Sequence, residues 1–503
     1  MILDLTRFVT RATIRTIKHL LRALFYGIIG ATIVLLVLAV RYLDNRPDLK
    51  VWHTADLDAE YTARSDVKSF KEYLELEDRL FTQLDELVYA KVKHEDQRKI
   101  NRYFRGSLTN PGRWKKNWNR SYGLSTVKPK FGVLLIHGMS DSPYSLHSLA
   151  TRLHQEGGWV VGLRVPGHGT APAGLVNVKW QDMAAAVKLA LQHLNKQTNG
   201  APLYIVGYSN GGALAVQYAL SSLDDKNLPA LNGVVLMSPE IGLTKLAALA
   251  VWQERLGHLF GLEKLSWNSI LPEYDPYKYG SFALNAGKQA YLLTLEIQDQ
   301  ITRLDASSML QNMPRILAFQ SVVDATVTAP ALVNGLFNRL PDGAHELFLY
   351  DINRYSGIEP VLNSNPSAWI NDVLQNTGLG YTVTLLTNKN EDSSQVVTRS
   401  RLPRSKAIIE CPLDMKWPRE IYSLSHVALP FQPSDPVYGR TKAVDAPGLP
   451  LGRLALRGER GVLQIAAADL MRLRWNPFYT YQEARILDFL GLAAVVPGHN
   501  CTP

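Results

Sequence analysis

The chain has 503 residues, 46% hydrophobic and 20% charged, with a formal net charge of +9. This length exceeds one typical domain, and the composition excludes a disordered or fibrous chain and fits a large globular protein. Two cysteines, Cys411 and Cys501, are too few for a disulfide framework and give no metal-ligand spacing.

The positive charge is local. Residues 1–22 carry +4 and residues 91–130 carry +10, which leaves −5 elsewhere. The main body is therefore not basic, and nucleic acid is not an expected partner.

In chain order, Arg7, Arg11, Arg15, Lys18 and Arg22 recur at steps of three or four among Leu3, Leu5, Phe8, Ile14, Ile17 and Leu21. This pattern predicts an interfacial amphipathic helix or, more simply, a solvated basic tail. Ala23–Val40 follows without a charge, and at roughly 1.5 Å per residue it spans a bilayer core with its flanks. The excess of cations before it puts the N-terminus in the cytoplasm and the rest on the extracytoplasmic side, periplasmic in a bacterium. The competing reading is a signal peptide cleaved near Val37-Leu38-Ala39.

Phe70, Tyr73, Leu74, Phe81, Leu84 and Val88 keep a helical period. The basic stretch after it mixes Lys115, Lys116 and Arg120 with Trp114 and Trp118, which suits either anionic lipid headgroups or a solvated linker. The expected organisation is an anchor over 1–50, a helical extension and linker over 51–129, and one large domain over 130–503.

Within that domain, strands are predicted at Phe131–Ile136, Trp159–Val165, Leu203–Val206, Gly233–Ser238, Arg315–Gln320 and Glu346–Tyr350, with a helix at Lys179–Leu194. Such alternation implies a mainly parallel sheet covered on both faces. Gly207-Tyr208-Ser209-Asn210-Gly211 lies between one such strand and the helix-like Gly212–Leu220. This strand, sharp turn and helix would expose the Ser209 hydroxyl, with glycines where side chains would collide. Upstream, the first strand runs into His137-Gly138-Met139-Ser140-Asp141.

His137-Gly138, the loop Arg164-Val165-Pro166-Gly167-His168-Gly169 and the elbow at Ser209 come in the order of an α/β-hydrolase. The chain resembles the monoacylglycerol lipase, lysophospholipase and carboxylesterase branch, often labelled serine aminopeptidase-like, over roughly residues 130–490. The resemblance implies an α/β-hydrolase fold with a mainly parallel central sheet, and a lid at Ile241–Asn312. That segment's Trp252, Phe260, Trp267, Tyr274, Tyr277, Tyr279 and Phe282 suit a lid over an acyl pocket or a cap packed on its own core. A second insertion, Ser356–Pro418, departs from the compact pattern. Its Tyr381–Leu386 and Gln395–Ser400 alternate like strands and predict a protruding hairpin.

The resemblance also orders the chemistry as nucleophile, acid and histidine. Ser209 is the nucleophile and His426, in Ser423-Leu424-Ser425-His426-Val427, the base. The acid is Asp324, past the strand at Arg315–Gln320, with Glu240 as its rival. Backbone N–H groups of Met139 and Asn210 would form the oxyanion hole, while Gly207, Gly211, His137 and Gly138 shape the elbow and its facing loop. No cofactor or metal is expected. The implied reaction is hydrolysis of a hydrophobic or lipid-like carboxylic ester, with peptidase, acyltransferase and non-catalytic tethered binding module as alternatives. Cys411 and Cys501 would either pair in an oxidising compartment or stay free.

Overall fold

In this computed structural model, the structure describes residues 2–242, 263–441, 447–454 and 463–492. Trp252 and Phe260 of the expected lid lie outside the described residues, as does Cys501 with any pairing to the buried Cys411.

The N-terminal sequence forms one continuous helix, Ile2–Asp44, rather than an interfacial helix followed by a separate span. Its window Arg15–Val34 has mean hydropathy 1.4 and none of it is buried against the rest of the chain. By length and composition it can cross a bilayer, a property that signal sequences share. Past its end, Arg46 donates to the carbonyls of Lys264 and Trp267 at 3.0 and 2.7 Å.

The body is built on a sheet of ten strands. In chain order these are β1 (Tyr122–Leu124), β2 (Phe131–Ile136), β3 (Gly158–Leu163), β4 (Leu203–Tyr208) and β5 (Gly233–Met237). A separate small pair, β6 (Trp267–Ser269) and β7 (Phe282–Ala283), precedes β8 (Arg315–Ser321), β9 (Glu346–Tyr350), β10 (Thr382–Asn388), β11 (Gln395–Arg401) and β12 (Ile408–Lys416). The main sheet runs β1-β3-β2-β4-β5-β8-β9-β10-β11-β12. From β3 through β10 every neighbouring pair is parallel, while β1, β11 and β12 pair antiparallel at the edges.

Both faces are covered, so the central strands are apolar throughout rather than alternating. Leu134, Ile136, Ile205, Leu236 and Ala318 face one core. The intervening Val133, Leu135, Val206, Val235 and Leu317 face the other. Helices Trp180–Thr198, Asn210–Asp224 and Leu284–Ala306 contribute to the first core, and His147–Gln155 and Tyr479–Phe489 to the second.

One expectation changes. The segment after β9 does form a hairpin, but it does not protrude. β10 pairs in parallel with β9, Thr382 opposite Glu346 through Leu386 opposite Tyr350, and β11 and β12 continue the same sheet. The hydrogen-bonding edge of β9 is thus satisfied by the insertion itself. The aromatic residues of the basic stretch, open in sequence to lipid or to solvent, are half-buried and pack on the fold. Trp114 and Trp118 pack against Tyr277 and Tyr122, with ring centroids 5.9 and 5.1 Å apart. Lys116 Nζ lies 4.0 Å from the Trp118 ring centre. These contacts engage one side of each tryptophan with the fold.

Candidate active site

Ser209 stands at the C-terminal end of β4, where the chain turns into helix Asn210–Asp224. Its backbone has φ 54° and ψ −120°, outside the regions that non-glycine residues ordinarily adopt, and such strain is held by surrounding structure. The Ser209 N–H donates to Met237 O at 2.9 Å, and its carbonyl accepts from Glu240 N–H at 3.0 Å. A Cβ on Gly207 would stand 2.4 Å from the Gly211 carbonyl oxygen, and one on Gly211 would stand 2.2 Å from that of Ile136. Glycine is required at both because the elbow's helix passes so close to β2 and β4.

The other sequence-selected residues lie on the loops around this point. Gly138 faces Ser209 so closely that a Cβ there would approach Ser209 Cβ to 3.0 Å. Among the described residues, neither the Met139 nor the Asn210 N–H donates to a backbone acceptor. Asn210 opens its helix, where the first N–H groups have no intrahelical partner. His137 is buried and its Nε2 accepts from Val165 N–H at 3.0 Å, so Nδ1 carries the proton and donates to Gly138 O at 2.8 Å. Burial, the neighbouring His168 and Arg164 hold its pKa well below the usual histidine range. His137 is therefore a neutral brace between the loop after β2 and the loop after β3.

His426 Nδ1 donates to Asp324 Oδ2 at 2.8 Å, with both side chains buried. In the neutral ring Nε2 is then the unprotonated nitrogen. The imidazole sits beside the elbow, its centroid 5.4 Å from that of Tyr208. Among the described residues the His426 ring bonds to Asp324 and not to Ser209. Asp324 follows β8. Its Oδ1 accepts from Thr326 and Val327 N–H at 2.8 and 3.0 Å, and its Oδ2 also accepts from Gln320 Nε2 at 3.1 Å. Burial opposes the charge, but the hydrogen bond to His426, its charge and the two backbone donors outweigh burial and hold the pKa below the ordinary value. Of the two candidate acids, Asp324 is the one that meets His426. Glu240 lies beyond β5 with Oε2 buried and, among the described residues, without a hydrogen-bond partner. Burial, then the Asp324 charge, pushes its carboxyl up to about 7.

Long-range contacts hold the His426 loop, and no local motif announced them. Ser321 Oγ donates to Leu424 O at 2.9 Å, and Asn353 donates through Nδ2 to Ile421 O at 2.8 Å and through N–H to Tyr422 O at 2.7 Å. A second such feature is the clamp on the loop after β3. Arg164 Nη1 and Nη2 meet the two Glu60 oxygens at 3.0 and 2.9 Å, its Nε meets Glu77 at 3.0 Å, and Nη1 also donates to His168 O. Burial opposes the Arg164 charge, and the Glu60 and Glu77 carboxylates outweigh it. The helical extension is thus wired into the loops around the elbow. The periodicity of Phe70–Leu87 signals a helix, but it cannot show that Glu77 faces inward toward an arginine.

Of the described aromatic residues expected in a lid, Tyr274 and Phe282 are half-buried, and Trp267, Tyr277 and Tyr279 are buried. Tyr277 stacks on Tyr144 with centroids 4.0 Å apart and planes at 5°. Among the described residues no cluster of three His, Cys, Asp or Glu side chains could hold a metal ion.

The chain is similar to known hydrolases. The serine aminopeptidase (S33) hydrolase family matches residues 127–334. A thermostable monoacylglycerol lipase from Bacillus sp. (strain H-257) is 27% identical over 117 residues, which cover 23% of this chain and 44% of that protein. The match thus spans less than half the relative's length. Among solved structures, a monoacylglycerol lipase of Paleococcus ferrophilus is 18% identical, covering 46% of this chain and 88% of its own, with a TM-score of 0.35. A soluble variant of the Saccharomyces cerevisiae monoglyceride lipase is 15% identical, covering 46% and 82%, with a TM-score of 0.34.

Proposed function

We propose that this chain, an α/β-hydrolase of the monoacylglycerol lipase-like branch, is a membrane-anchored serine hydrolase that cleaves hydrophobic, lipid-like carboxylic esters through an acyl-enzyme. The observation that carries the reading is the buried His426–Asp324 hydrogen bond of 2.8 Å, set beside the strained elbow that presents Ser209.

In this reading Ser209 Oγ adds to the acyl carbonyl carbon while His426 Nε2 takes its proton. Asp324 fixes the tautomer and stabilises the imidazolium. The tetrahedral oxyanion is held by the Met139 and Asn210 N–H groups, each such donor being worth about 10² to 10³ in rate. His426 then protonates the departing alcohol, the C–O bond breaks, and water attacks the acyl-enzyme with His426 again as base. The Ser209–His426 hydrogen bond forms as substrate binds, since such bonds are often long in the free enzyme.

The N-terminal helix supports tethering, with residues 1–22 on the cytoplasmic side by the positive-inside rule and the hydrolase domain opposite. A tethered enzyme meets substrates that partition into lipid. Turnover of p-nitrophenyl esters of increasing chain length tests the proposal. The expected result is activity that rises beyond short chains and disappears in Ser209→Ala and His426→Ala. Activity persisting in Ser209→Ala would reject Ser209 as the nucleophile.

A further inference from the structure

Resting on the reading of Ser209 as nucleophile, we propose that a cavity beside His426 is an anion subsite, in which Lys278 and Arg472 hold a phosphate on the alcohol half of the ester. The cavity has a volume of about 200 Å³ and is lined by Tyr274, Lys278, Tyr279, Val427, Arg472 and Arg474, among others. Two of its walls adjoin the candidate site. Val427 directly follows His426 in the chain, and Tyr279 N–H donates to Ser140 O at 2.8 Å, one residue beyond Met139. The cavity therefore touches the loop that carries the base and is tied by one hydrogen bond to the loop proposed to bind the oxyanion.

The cations in the cavity are not equivalent. Arg474 is already engaged: Nη2 donates to Tyr274 Oη at 2.9 Å and Nη1 lies 3.5 Å from Asp275 Oδ2. Neither the Lys278 ammonium nor the Arg472 guanidinium has an ion pair or side-chain hydrogen bond among the described residues, although Lys278 is partly buried. Burial lowers the Lys278 pKa, helped by the Arg472 and Arg474 charges, and the charges of Asp141 and Asp275 offset this only in part.

Three acids face this region. Asp275 Oδ1 accepts from Tyr277 and Lys278 N–H and from Tyr438 Oη. Asp141 is buried, accepts from Ser142 N–H at 2.8 Å, and is pushed by burial up to about 7. Asp469 is exposed at the rim. The two acids nearest Lys278 are thus committed elsewhere or largely protonated below neutrality. Two uncommitted cations remain, one a point charge and one a planar fork, a combination suited to a phosphate dianion. A neutral glycerol group would leave the Lys278 ammonium without a directly paired anion, and a phosphate would supply one.

The test uses the full chain in detergent micelles. Calorimetry with glycerol 3-phosphate, glycerol and inorganic phosphate is paired with kcat/KM for decanoylglycerol 3-phosphate and for decanoylglycerol. The expected result is binding of glycerol 3-phosphate but not of glycerol, weakened about 10- to 100-fold in Lys278→Met and in Arg472→Gln. The phosphate ester is expected to be the better substrate, and Lys278→Met is expected to lower the ratio of the two kcat/KM values by a similar factor. A purely structural lysine would lower both values together and leave the ratio unchanged, which would overturn the subsite. Inorganic phosphate binding as tightly as glycerol 3-phosphate, with no preference between the esters, would also overturn it. Turnover without any phosphate binding would overturn the subsite and leave the hydrolase intact. Phosphate binding with no turnover of either ester would support the anion site and reject the hydrolase reading.

Discussion

Replacing Glu77 with leucine should be among the most damaging single changes outside the site. Its carboxylate accepts from Ser121 N–H at 2.9 Å, Ser121 Oγ at 2.8 Å and Arg164 Nε at 3.0 Å. The Glu77 and Arg164 side chains are 3% and 1% exposed, so water cannot replace the lost partner. Removing one member of a buried pair typically costs about 3–5 kcal/mol because the other charge stays buried. Glu60 still holds two Arg164 nitrogens, which places Glu77→Leu at about 3 kcal/mol, the lower end of that range. Urea unfolding of the full chain in detergent measures the loss. Because the same guanidinium supports His168 O and Glu60 accepts from Gly167 N–H, ester turnover should fall below the unfolding midpoint as well. A loss under about 1 kcal/mol, the value of an exposed pair, would refute the reasoning.

Asp324→Asn should lower kcat about 10⁴-fold by removing the acceptor that fixes the His426 tautomer, and Glu240→Gln should cost far less; steady-state ester hydrolysis decides, and the reverse order would transfer the acid role to Glu240. Glu240 also sets a pH dependence: its folded pKa of about 7 lies above its ordinary 4.5, so between these values the folded state holds the extra proton and wild-type stability falls as pH rises. Glu240→Gln should therefore be more stable than wild type above pH 7, by up to about 3 kcal/mol, with the gap closing toward pH 4.5; thermal unfolding across that range checks it, and a constant gap would contradict the assignment. Gly211→Ala places a methyl 2.2 Å from Ile136 O, a contact that must displace backbone, and should abolish ester turnover and lower the melting temperature; normal turnover would mean the elbow is looser than described.

Much of the site was legible because its signals are local. The bounds of β2 and β9 match the expected apolar runs, and the elbow's glycines are forced by contacts within a few residues or with the adjacent strand. The order Ser209, Asp324, His426 could be followed because each candidate sits at the end of a strand or in a late loop. The unread parts depend on distant pairing. Nothing in Tyr381–Leu386 indicates that its partner is β9 rather than solvent, so the hairpin's place in the main sheet stayed hidden. Trp114 and Trp118 look like membrane-facing residues in sequence because their neighbours are cations. Only the approach of Tyr277 and Tyr122 shows that each also packs on the fold. The Glu60–Arg164–Glu77 clamp joins residues 87 and 104 positions apart, beyond any periodicity.

Activated-serine chemistry is tested most directly by fluorophosphonate labelling of the full chain in detergent, comparing wild type, Ser209→Ala and His426→Ala. The account predicts one covalent adduct at Ser209 in wild type and none in either variant. Equal labelling of Ser209→Ala, or a folded wild type that takes no label, would contradict it.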